Sequence, residues 1–200
     1  MLKRLLDIFV SLIALLLFLP FGLLIAIVIA LESRGGILYF QERIGKHGKP
    51  FQLFKFRSMR KNADKSGLLT VGMNDKRITR SGAFIRKYKL DEMPQFLNVL
   101  MGTMSIVGPR PEVKKYTDLY SNEQRKILSV KPGITDYASL EYFNESEILG
   151  KSSNPEKSYI EEIMPDKIRI NQKYLKNSGI FEDLKIITLT ASKILGFSKK

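Results

Sequence analysis

Cysteine and tryptophan are absent from this sequence of 200 residues, which also contains a single histidine. The absence of cysteine excludes a disulfide framework, a thiol nucleophile and a thiolate metal site, and it fits a reducing compartment. Acidic residues are few, with 20 Asp and Glu against 33 Lys and Arg, which gives a formal net charge of +13. This charge indicates an anionic partner, such as nucleic acid, a lipid headgroup surface or a phosphorylated substrate. The length fits one domain of ordinary size, and a hydrophobic fraction of 44% excludes overall disorder.

Charged residues are also absent from positions 8–31, where Ser11, Pro20 and Gly22 interrupt a run of Ala, Val, Ile, Leu and Phe. As a helix this segment would extend about 36 Å, which is enough to cross a hydrocarbon core of about 30 Å. The apolar part of a cleaved signal peptide is shorter, about 7–15 residues. We therefore favour a membrane segment over a signal peptide, although residues 28–30 would be an acceptable cleavage site.

Two features of this segment bear on its path through the bilayer. Pro20, near its middle, removes a backbone hydrogen bond and clashes with the preceding turn. Basic residues flank both ends, and by the positive-inside tendency both ends then prefer the cytoplasm. The flanking residues are Lys3, Arg4, Arg34, Arg43 and Lys46. A helix that breaks at Pro20 and returns to the same leaflet satisfies both features, and a proline-kinked spanning helix is the alternative that stays open.

Almost all of the positive charge lies outside the apolar segment, because residues 32–200 carry a net charge of +12. Each Lys or Arg close to an anionic membrane surface adds on the order of 1 kcal/mol to membrane binding. We therefore expect this basic part of the chain to lie against a membrane that contains anionic lipids.

A β-hairpin is predicted directly after the apolar segment. Residues 37–43 and 51–57 have strand-like patterns, and the residues between them are rich in Gly and Lys, which is typical of a turn. On the second strand, Lys55 and Arg57 are two residues apart and are therefore predicted to share one face of the hairpin.

Helical periodicity dominates the rest of the chain. A long loop is predicted at 61–80, and helices are predicted at 82–88, 92–101, 116–130 and 160–176. An apolar stripe from Leu184 to Leu195 predicts a further helix near the C-terminus. This last helix has two interpretations, as a packing helix or as a helix that lies in the membrane interface.

Three short stretches concentrate the groups that can carry chemistry: residues 55–59, 90–95 and 105–112. Taken alone, Asp91 is a good N-cap for the predicted helix that follows, and Glu92 in the first turn suits the helix dipole. By the same reasoning, Arg110 lies in a stiff exposed turn between two prolines. The cations that precede the Asp–Glu pair would then belong to a solvated face; they are Arg86, Lys87 and Lys89.

Together with other short motifs, these stretches resemble the monotopic phosphoglycosyl transferases, a bacterial sugar transferase family that starts glycan assembly on polyprenyl phosphate. The resemblance covers nearly the whole chain, the order and spacing of its motifs are highly specific, and the small, single-domain branch of the family is the most similar. The motifs are Gln41-Glu42-Arg43-Ile44-Gly45, Lys55-Phe56-Arg57-Ser58-Met59, Asp75-Lys76-Arg77-Ile78-Thr79-Arg80, Arg86, Leu90-Asp91-Glu92, Asn98-Val99-Leu100, Val107-Gly108-Pro109-Arg110-Pro111-Glu112 and Lys131-Pro132-Gly133-Ile134-Thr135.

The resemblance implies an α+β, mostly helical, membrane-associated monotopic fold. Residues 1–33 would form a re-entrant helix broken at Pro20. Residues 34–200 would form a catalytic domain with a small β-hairpin, interfacial amphipathic helices and a C-terminal amphipathic helix. Such a protein would lie in the inner membrane of a bacterium, bound to one leaflet, with its catalytic part on the cytoplasmic face. A homodimer is compatible with this arrangement, and nucleic acid is not among the implied partners.

The implied reaction is the transfer of a phosphosugar from a UDP-sugar to polyprenyl (undecaprenyl) phosphate, with release of UMP and a covalent enzyme intermediate. Asp91 would be the nucleophile, and its neighbour Glu92 would bind Mg²⁺ or handle a proton. A carboxylate can attack phosphorus when cations offset the repulsion between the anions, and Mg²⁺ prefers oxygen ligands. The residues that would bind substrate phosphates are Arg86, Arg110, Lys55 and Arg57.

Two departures from the family pattern concern the membrane break and the sugar. The break is commonly Ser-Pro in the family and is Leu19-Pro20 in this chain. Residues 136–141 differ from the Gly and Trp that many members carry after the Gly-Ile-Thr motif. Because this region could shape the sugar pocket, the identity of the sugar does not transfer from other members.

Three alternatives stay open at this point. Charge alone would suit a membrane-anchored nucleic-acid-binding protein, although the sequence has no recognisable nucleic-acid-binding motif or aromatic stacking platform. A non-catalytic membrane adaptor would use the Asp91–Glu92 pair only as a helix cap. A conventional nucleotide-sugar glycosyltransferase usually has an Asp-x-Asp metal motif, which this sequence lacks. A Walker A motif is also absent, which argues against nucleotide hydrolysis.

Overall fold

The computed structural model describes residues 2–63, 67, 69–72 and 75–197, which form a mostly helical structure with two small sheets. This arrangement confirms the predicted α+β fold class. The helices are α1 (Leu2–Glu32), α2 (Arg80–Lys87), α3 (Gln95–Met101), α4 (Lys114–Thr117), α5 (Tyr137–Glu141), α6 (Glu145–Gly150), α7 (Pro155–Ser158), α8 (Met164–Lys176) and α9 (Ile180–Ile194). The strands are β1 (Leu38–Ile44), β2 (Pro50–Phe56), β3 (Ser105–Val107) and β4 (Gly133–Thr135). Short 3₁₀ segments occupy Lys46–Gly48, Leu90–Glu92 and Gln124–Ser129, and a π-helical turn occupies Tyr159–Ile163.

The predicted hairpin is confirmed, with β1 antiparallel to β2 and Leu38 opposite Phe56. A 3₁₀ turn connects the two strands. The predicted second strand was one residue too long, because β2 ends at Phe56. The backbone N–H of Arg57 still donates to the Ile37 carbonyl oxygen at 2.9 Å, so backbone pairing between the two segments reaches Arg57.

A second sheet, which the sequence patterns did not predict, pairs β3 with β4 in parallel. Ser105 lies opposite Gly133 in this sheet. A Cβ atom added at Gly133 would lie 2.1 Å from the backbone nitrogen of Gly108, so the close approach of the two segments requires glycine. The pairing brings residues 108–112 beside the chain that leads into α5.

Two of the four helices predicted between residues 82 and 176 are confirmed. Residues 82–88 lie almost wholly in α2, and residues 160–176 form the π-helical turn and α8, with Pro165 in the first turn of α8. The predicted loop at 61–80 extends to the N-cap of α2. Within that loop, the positions outside the described residues are 64–66, 68, 73 and 74.

The other two predicted helices are partly wrong. At 92–101, a separate 3₁₀ turn precedes α3. At 116–130, α4 ends early and a separate 3₁₀ segment follows. A local cap explains the second interruption: Gln124 Oε1 accepts from the backbone N–H of Ser121 at 2.8 Å, and the N–H of Gln124 donates to Ser121 Oγ at 3.2 Å. Such a reciprocal cap begins a new turn and ends the one before it.

The apolar N-terminal segment forms α1, a helix of 31 residues that would be about 46 Å long. Its length and its apolar composition are sufficient to cross a membrane. The helix continues through Pro20. The break at Pro20 and the return to the same leaflet therefore stay predictions. Large side chains are exposed along α1, and among them are Phe9, Leu16, Leu17, Phe21, Leu24 and Leu31.

The N-terminal end of α1 is attached to the rest of the structure by ionic and polar contacts. The Arg4 guanidinium donates to the carbonyl oxygens of Val99 (2.6 Å) and Leu100 (2.8 Å), and so binds the C-terminal end of α3. The buried Asp7 carboxylate accepts from the backbone N–H of Ile106 in β3 at 2.9 Å. These contacts satisfy groups that a helix end and a short strand would otherwise leave unpaired.

The C-terminal end of α1 is attached to the same body. The Glu32 carboxylate accepts from the backbone N–H groups of Arg80 (2.8 Å) and Ser81 (3.1 Å), the first residues of α2. Between the two ends, the Phe18 and Phe56 rings lie 6.2 Å apart. Both ends of the apolar helix therefore contact one body of the protein, while its other face stays exposed.

The predicted C-terminal helix is confirmed as α9. Its Ile186 side chain is fully buried in a core that also contains Val99 and Met104, which supports the packing interpretation. Phe181, Leu184 and other apolar residues on α9 remain exposed. The position of α9 in a membrane interface stays a prediction.

Candidate active site

The Asp91–Glu92 pair lies at a sharp corner between α2 and α3. Lys89, which precedes the corner, has left-handed backbone angles (φ 57°, ψ 18°), and the 3₁₀ turn that follows contains both carboxylates. The expectation that Asp91 caps a helix was wrong, because α3 begins only at Gln95 and its N-cap is Pro94. A left-handed residue other than glycine is uncommon and indicates a corner that the surrounding contacts impose.

The Glu92 carboxylate is enclosed by cations. Arg110 binds it with two parallel hydrogen bonds, of which the one from Nη1 to Oε2 is 3.0 Å long. The Lys55 ammonium lies 3.6 Å from Oε1. Burial alone would raise the pKa of Glu92, but the charges of Arg110 and Lys55 outweigh burial and hold that pKa well below its usual range. Glu92 is therefore ionised, and it ties the two cations together at one point.

The Asp91 carboxylate has the opposite environment. The residue is buried, with 5% of its surface exposed. Burial and the adjacent charge of Glu92 raise its pKa, and the more distant charges of Lys55, Arg86 and Lys89 partly offset this rise. Among the residues that the structure describes, none donates a hydrogen bond to this carboxylate. A buried acid with a shifted pKa and unshared oxygens is a candidate nucleophile.

Lys55 reaches this site from β2, and a buried amide fixes the distance between β2 and α3. Asn98 on α3 accepts from the backbone N–H of Phe54 at 3.0 Å and donates to the carbonyl oxygen of Gln52 at 2.7 Å. Burial lowers the pKa of Lys55 from 10.5 to about 8, although the charge of Glu92 opposes the shift. The ammonium group therefore begins to lose its proton at a lower pH than an exposed lysine does.

Arg86, in the last turn of α2, is the third predicted cation that the structure brings to the site. Its guanidinium donates to Thr70 Oγ1 at 3.0 Å and to Ser58 Oγ at 3.4 Å. The start of α2 lies very close to the chain after β2, since a Cβ atom added at Gly82 would lie 1.9 Å from the Ser58 carbonyl oxygen. Glycine at this position therefore allows α2 to pack closely against the chain after β2. The charge of Arg86 in this position lowers the pKa of Asp91 and so opposes the effect of burial.

Comparison with known proteins bears directly on this cluster. The family model described as bacterial sugar transferase matches residues 1–196. The chain belongs to that family. The match includes both carboxylates and each of the cations described above.

Several curated proteins are similar to this family member. A Bacillus subtilis (strain 168) protein, provisionally named an undecaprenyl-phosphate N-acetylgalactosaminyl 1-phosphate transferase, is 50% identical over 121 residues, or 60% of this chain and 68% of that protein. The Aeromonas hydrophila UDP-N-acetylgalactosamine-undecaprenyl-phosphate N-acetylgalactosaminephosphotransferase is 37% identical over 99% of this chain. The Klebsiella pneumoniae UDP-glucose:undecaprenyl-phosphate glucose-1-phosphate transferase is 38% identical over 99% of it. The chain spans 45% and 40% of the lengths of the last two proteins.

Arg57 is the one predicted phosphate-binding residue of this sugar transferase that lies apart from the carboxylates. Its guanidinium donates to the Ser33 carbonyl oxygen at 2.5 Å and to Ser33 Oγ at 3.0 Å, just after α1. Its backbone remains paired with Ile37, so the contact with Ser33, rather than the end of the hairpin pairing, sets the position of this guanidinium. In this structure Arg57 connects the hairpin to the membrane helix.

Lys89 is a site residue that sequence reasoning missed, because it was assigned to a solvated face. Its ammonium group lies 5.1 Å from the centre of the Phe143 ring. Burial lowers the pKa of Lys89, while the charges of Glu92 and Asp91 oppose that shift. No sequence pattern predicts a positive φ at a lysine. Only the folded corner therefore shows that Lys89 lies beside the carboxylates.

The carboxylates fit a magnesium ion that is shared with substrate. Among the described residues, no group of three or more His, Cys, Asp or Glu side chains could hold a metal without further ligands. Mg²⁺ at phosphoryl-transfer sites needs only one or two carboxylates, because substrate phosphates and water supply the other oxygens. Each carboxylate oxygen has two lone-pair sites, so Glu92 keeps acceptor capacity beside Arg110. Glu92 and Asp91 are thus the residues that would hold such an ion.

Proposed function

We propose that this chain transfers the phosphosugar of a UDP-sugar to undecaprenyl phosphate or a similar polyprenyl phosphate and releases UMP. The reaction would proceed through a covalent aspartyl-phosphosugar at Asp91. The observation that carries the proposal is the contrast between two adjacent buried carboxylates: Glu92 is bound by Arg110 and Lys55, whereas Asp91 receives no hydrogen bond from the described residues. The names of the relatives support the substrate classes.

In the first step, an Asp91 oxygen attacks the phosphorus atom that bears the sugar. The bond from that phosphorus to the bridging oxygen breaks, and UMP leaves with this oxygen. The negative charge that develops is stabilised by the Arg110, Arg86 and Lys55 cations, which the fold has already collected around the carboxylates. A bound Mg²⁺ would supply further charge neutralisation at the phosphate oxygens.

In the second step, a phosphate oxygen of the polyprenyl phosphate attacks the same phosphorus atom. The acyl-phosphate bond breaks and Asp91 is released as a carboxylate, so the product is a polyprenyl diphosphate sugar. One diphosphate linkage replaces another, and the overall reaction therefore lies near equilibrium. The cations serve both steps, because both substrates present phosphate to the same site.

The membrane helix gives the lipid substrate access to this site. Both ends of α1 are attached to the body that carries the carboxylates, through Arg4 at α3 and Glu32 at α2. A re-entrant path of α1 from the cytoplasmic face of the bacterial inner membrane would keep both attachments on one side and hold Asp91 near the headgroups. The basic surface would then lie against anionic lipids.

The relatives differ in the sugar that their names specify, N-acetylgalactosamine in one and glucose in another. A further relative, 39% identical over 93% of this chain, is named an exopolysaccharide production protein in Rhizobium leguminosarum bv. phaseoli. We therefore place the reaction at the first membrane step of a bacterial surface glycan and leave the sugar to experiment.

The test is a UMP-release assay with polyprenyl phosphate, Mg²⁺ and a panel of UDP-sugars, on protein in detergent or nanodiscs. Asp91→Asn should abolish turnover, and mass spectrometry of the wild type with UDP-sugar alone should locate a phosphosugar adduct at Asp91. Asp118→Asn is the matched control, because Asp118 is exposed and pairs only with Lys114 among the described residues.

Three outcomes would overturn the proposal. Undiminished turnover by Asp91→Asn would exclude the nucleophile. Release of UDP would indicate a conventional glycosyltransferase. Salt-sensitive DNA binding without turnover would favour a nucleic-acid-binding protein.

A further inference from the structure

Asp136 is a fully buried carboxylate between β4 and α5, with 0% of its surface exposed. Its Oδ2 accepts from the backbone N–H of Arg110 at 2.9 Å and from Asn171 Nδ2 of α8 at 2.8 Å. Its Oδ1 accepts from the backbone N–H of Ser139 in α5 at 2.5 Å. One side chain thus joins three segments that are distant in sequence.

The contact of Asp136 with the Arg110 backbone has no substitute nearby, because the residues on both sides of Arg110 are prolines. Proline has no backbone N–H, so Arg110 carries the single backbone donor of the Pro109-Arg110-Pro111 tripeptide. That donor goes to Asp136. The parallel β3–β4 pair supports the same alignment, since the N–H of Gly133 donates to the Pro109 carbonyl oxygen at 3.0 Å. The backbone at Arg110 is therefore held from the β4 side.

Whereas the backbone of Arg110 binds Asp136, its side chain makes two hydrogen bonds to Glu92. We propose that Asp136 is a positioning residue: by holding the backbone of Arg110, it sets the guanidinium where it binds Glu92 and the substrate phosphates. This inference rests on the proposed function and deepens it. It also explains why a carboxyl side chain is buried here, because its two acceptor oxygens receive three N–H donors.

Asn is the informative substitution at position 136. It has nearly the same shape as Asp, but it replaces one acceptor oxygen with an NH₂ group. In Asp136→Asn, at least one of the three donors therefore faces another donor and loses its partner. We expect turnover to fall between about 10-fold and 100-fold, the range associated with a displacement of about 1 Å in a catalytic group.

A double-mutant cycle with Arg110→Gln separates positioning from general stability. If Asp136 acts through Arg110, the variant with both substitutions should turn over as slowly as Arg110→Gln alone. Asp183→Asn is the matched control, because Asp183 is equally buried, at 1% exposure, but binds Lys3 and Tyr174 instead. Its effect should multiply with that of Arg110→Gln. A multiplicative effect for Asp136→Asn would overturn the inference.

Hydrogen exchange tests the contact without any activity. Because Pro109 and Pro111 have no amide hydrogen, exchange within residues 109–111 reports Arg110 alone. Asp136→Ala, which removes both acceptor oxygens, should accelerate this exchange, and Asp183→Ala should not. Unchanged exchange in Asp136→Ala would refute the contact, whereas inactive wild-type protein with a protected Arg110 amide would instead refute the proposed function.

Asn171→Ala covers the case in which Asp136→Asn does not fold. It removes one donor to Asp136 and keeps the charge, so we expect a smaller loss of turnover, about three-fold. This loss should also disappear in the Arg110→Gln background. A loss of the same size in both backgrounds would contradict the positioning role.

Discussion

Carboxylates in two regions of this protein differ in whether they accept hydrogen bonds. Where α1 docks, Asp7, Asp183 and Glu32 each accept at least two hydrogen bonds or ion pairs. At the corner between α2 and α3, Asp91 is as buried as Asp7, yet no described residue donates to it. An unpaired buried charge opposes folding. The carboxylates of the docking region are therefore placed to stabilise the fold, whereas the Asp91 carboxylate has the environment that the proposed nucleophile requires.

The largest expected effect on activity comes from substituting Asp91. Asp91→Asn should reduce UMP release by at least about 10³-fold, as for other groups that form covalent intermediates. Its thermal midpoint should stay the same or rise, because the amide removes an unpaired buried charge. Activity and thermal denaturation of the same preparation test this prediction. A marked loss of stability would show that Asp91 has a structural partner.

Asp183→Asn should give the reverse pattern. Asp183 accepts from Lys3 Nζ and from the Tyr174 hydroxyl, each at 2.5 Å, so the amide leaves at least one buried group without its partner. We expect the free energy of unfolding to fall by roughly 1–3 kcal/mol. Turnover per folded molecule should change much less than in Asp91→Asn. Equal losses of activity in the two variants would remove the distinction between the regions.

The third prediction concerns pH. Burial lowers the pKa of Lys55 to about 8, so the ammonium beside Glu92 loses its proton above that pH, and kcat/KM should fall about ten-fold per pH unit. Between pH 8 and 10.5 the unfolded chain still holds the proton that the folded chain has released. The contribution of Lys55 to the free energy of unfolding therefore rises with pH in this window, while activity falls.

Lys55→Arg is the control for this pH dependence, because arginine stays protonated throughout the range. The alkaline decrease in kcat/KM should move to higher pH in this variant, whatever its activity at neutral pH. A decrease that still has its midpoint near pH 8 would assign the titration to another group.

The smallest effect should come from Glu32→Gln at the end of α1. Glu32 caps α2, and its hydrogen bonds with Ser81 lower its pKa despite slight burial. Because Glu32 is exposed, we expect a loss of only about 0.5 kcal/mol in the free energy of unfolding. Denaturant unfolding at pH 7 measures this loss. Glu42→Gln on β1 is the exposed control and should change nothing measurable.

The lowered pKa of Glu32 also predicts how the free energy of unfolding changes at acidic pH. A carboxylate with a lowered pKa stabilises the fold above its ordinary pKa of 4.5, and this contribution disappears as the pH falls through the lowered value. Wild type and Glu32→Gln should therefore become equally stable in strong acid. A difference that persists there would assign the effect to packing.

Much of the candidate site could be predicted, because its residues occur in short motifs. Asp91, Glu92 and Arg110 occur in stretches whose residue types suit phosphate chemistry, and the structure brings them together with Lys55. The hairpin was also predictable, since its alternation and turn are local signals. Arg57 occurs in the same motif as Lys55, but its guanidinium binds Ser33 after α1, a contact between distant segments that the motif does not indicate.

Other parts depended on a local cap that the apolar pattern did not reveal or on contacts between distant segments. The interruption between α4 and the 3₁₀ segment came from a Ser121–Gln124 cap that the apolar pattern concealed. The left-handed backbone of Lys89 follows from the corner that it occupies. Asp136 is recognisable afterwards as an N-cap residue before α5, but nothing in its local sequence indicates that it also binds the backbone of Arg110.

The sequence by itself determined which groups this protein possesses: an uncharged apolar segment, a large excess of cations and an Asp–Glu pair among them. Composition and local pattern are enough for these conclusions, because hydrophobicity and charge belong to each residue alone. Only the tertiary structure decided that Arg110 and Lys55 bind Glu92 while Asp91 receives no hydrogen bond from the described residues. Hydrogen bonding and burial depend on neighbours that the chain brings from far away, so this division of roles exists only in the folded protein.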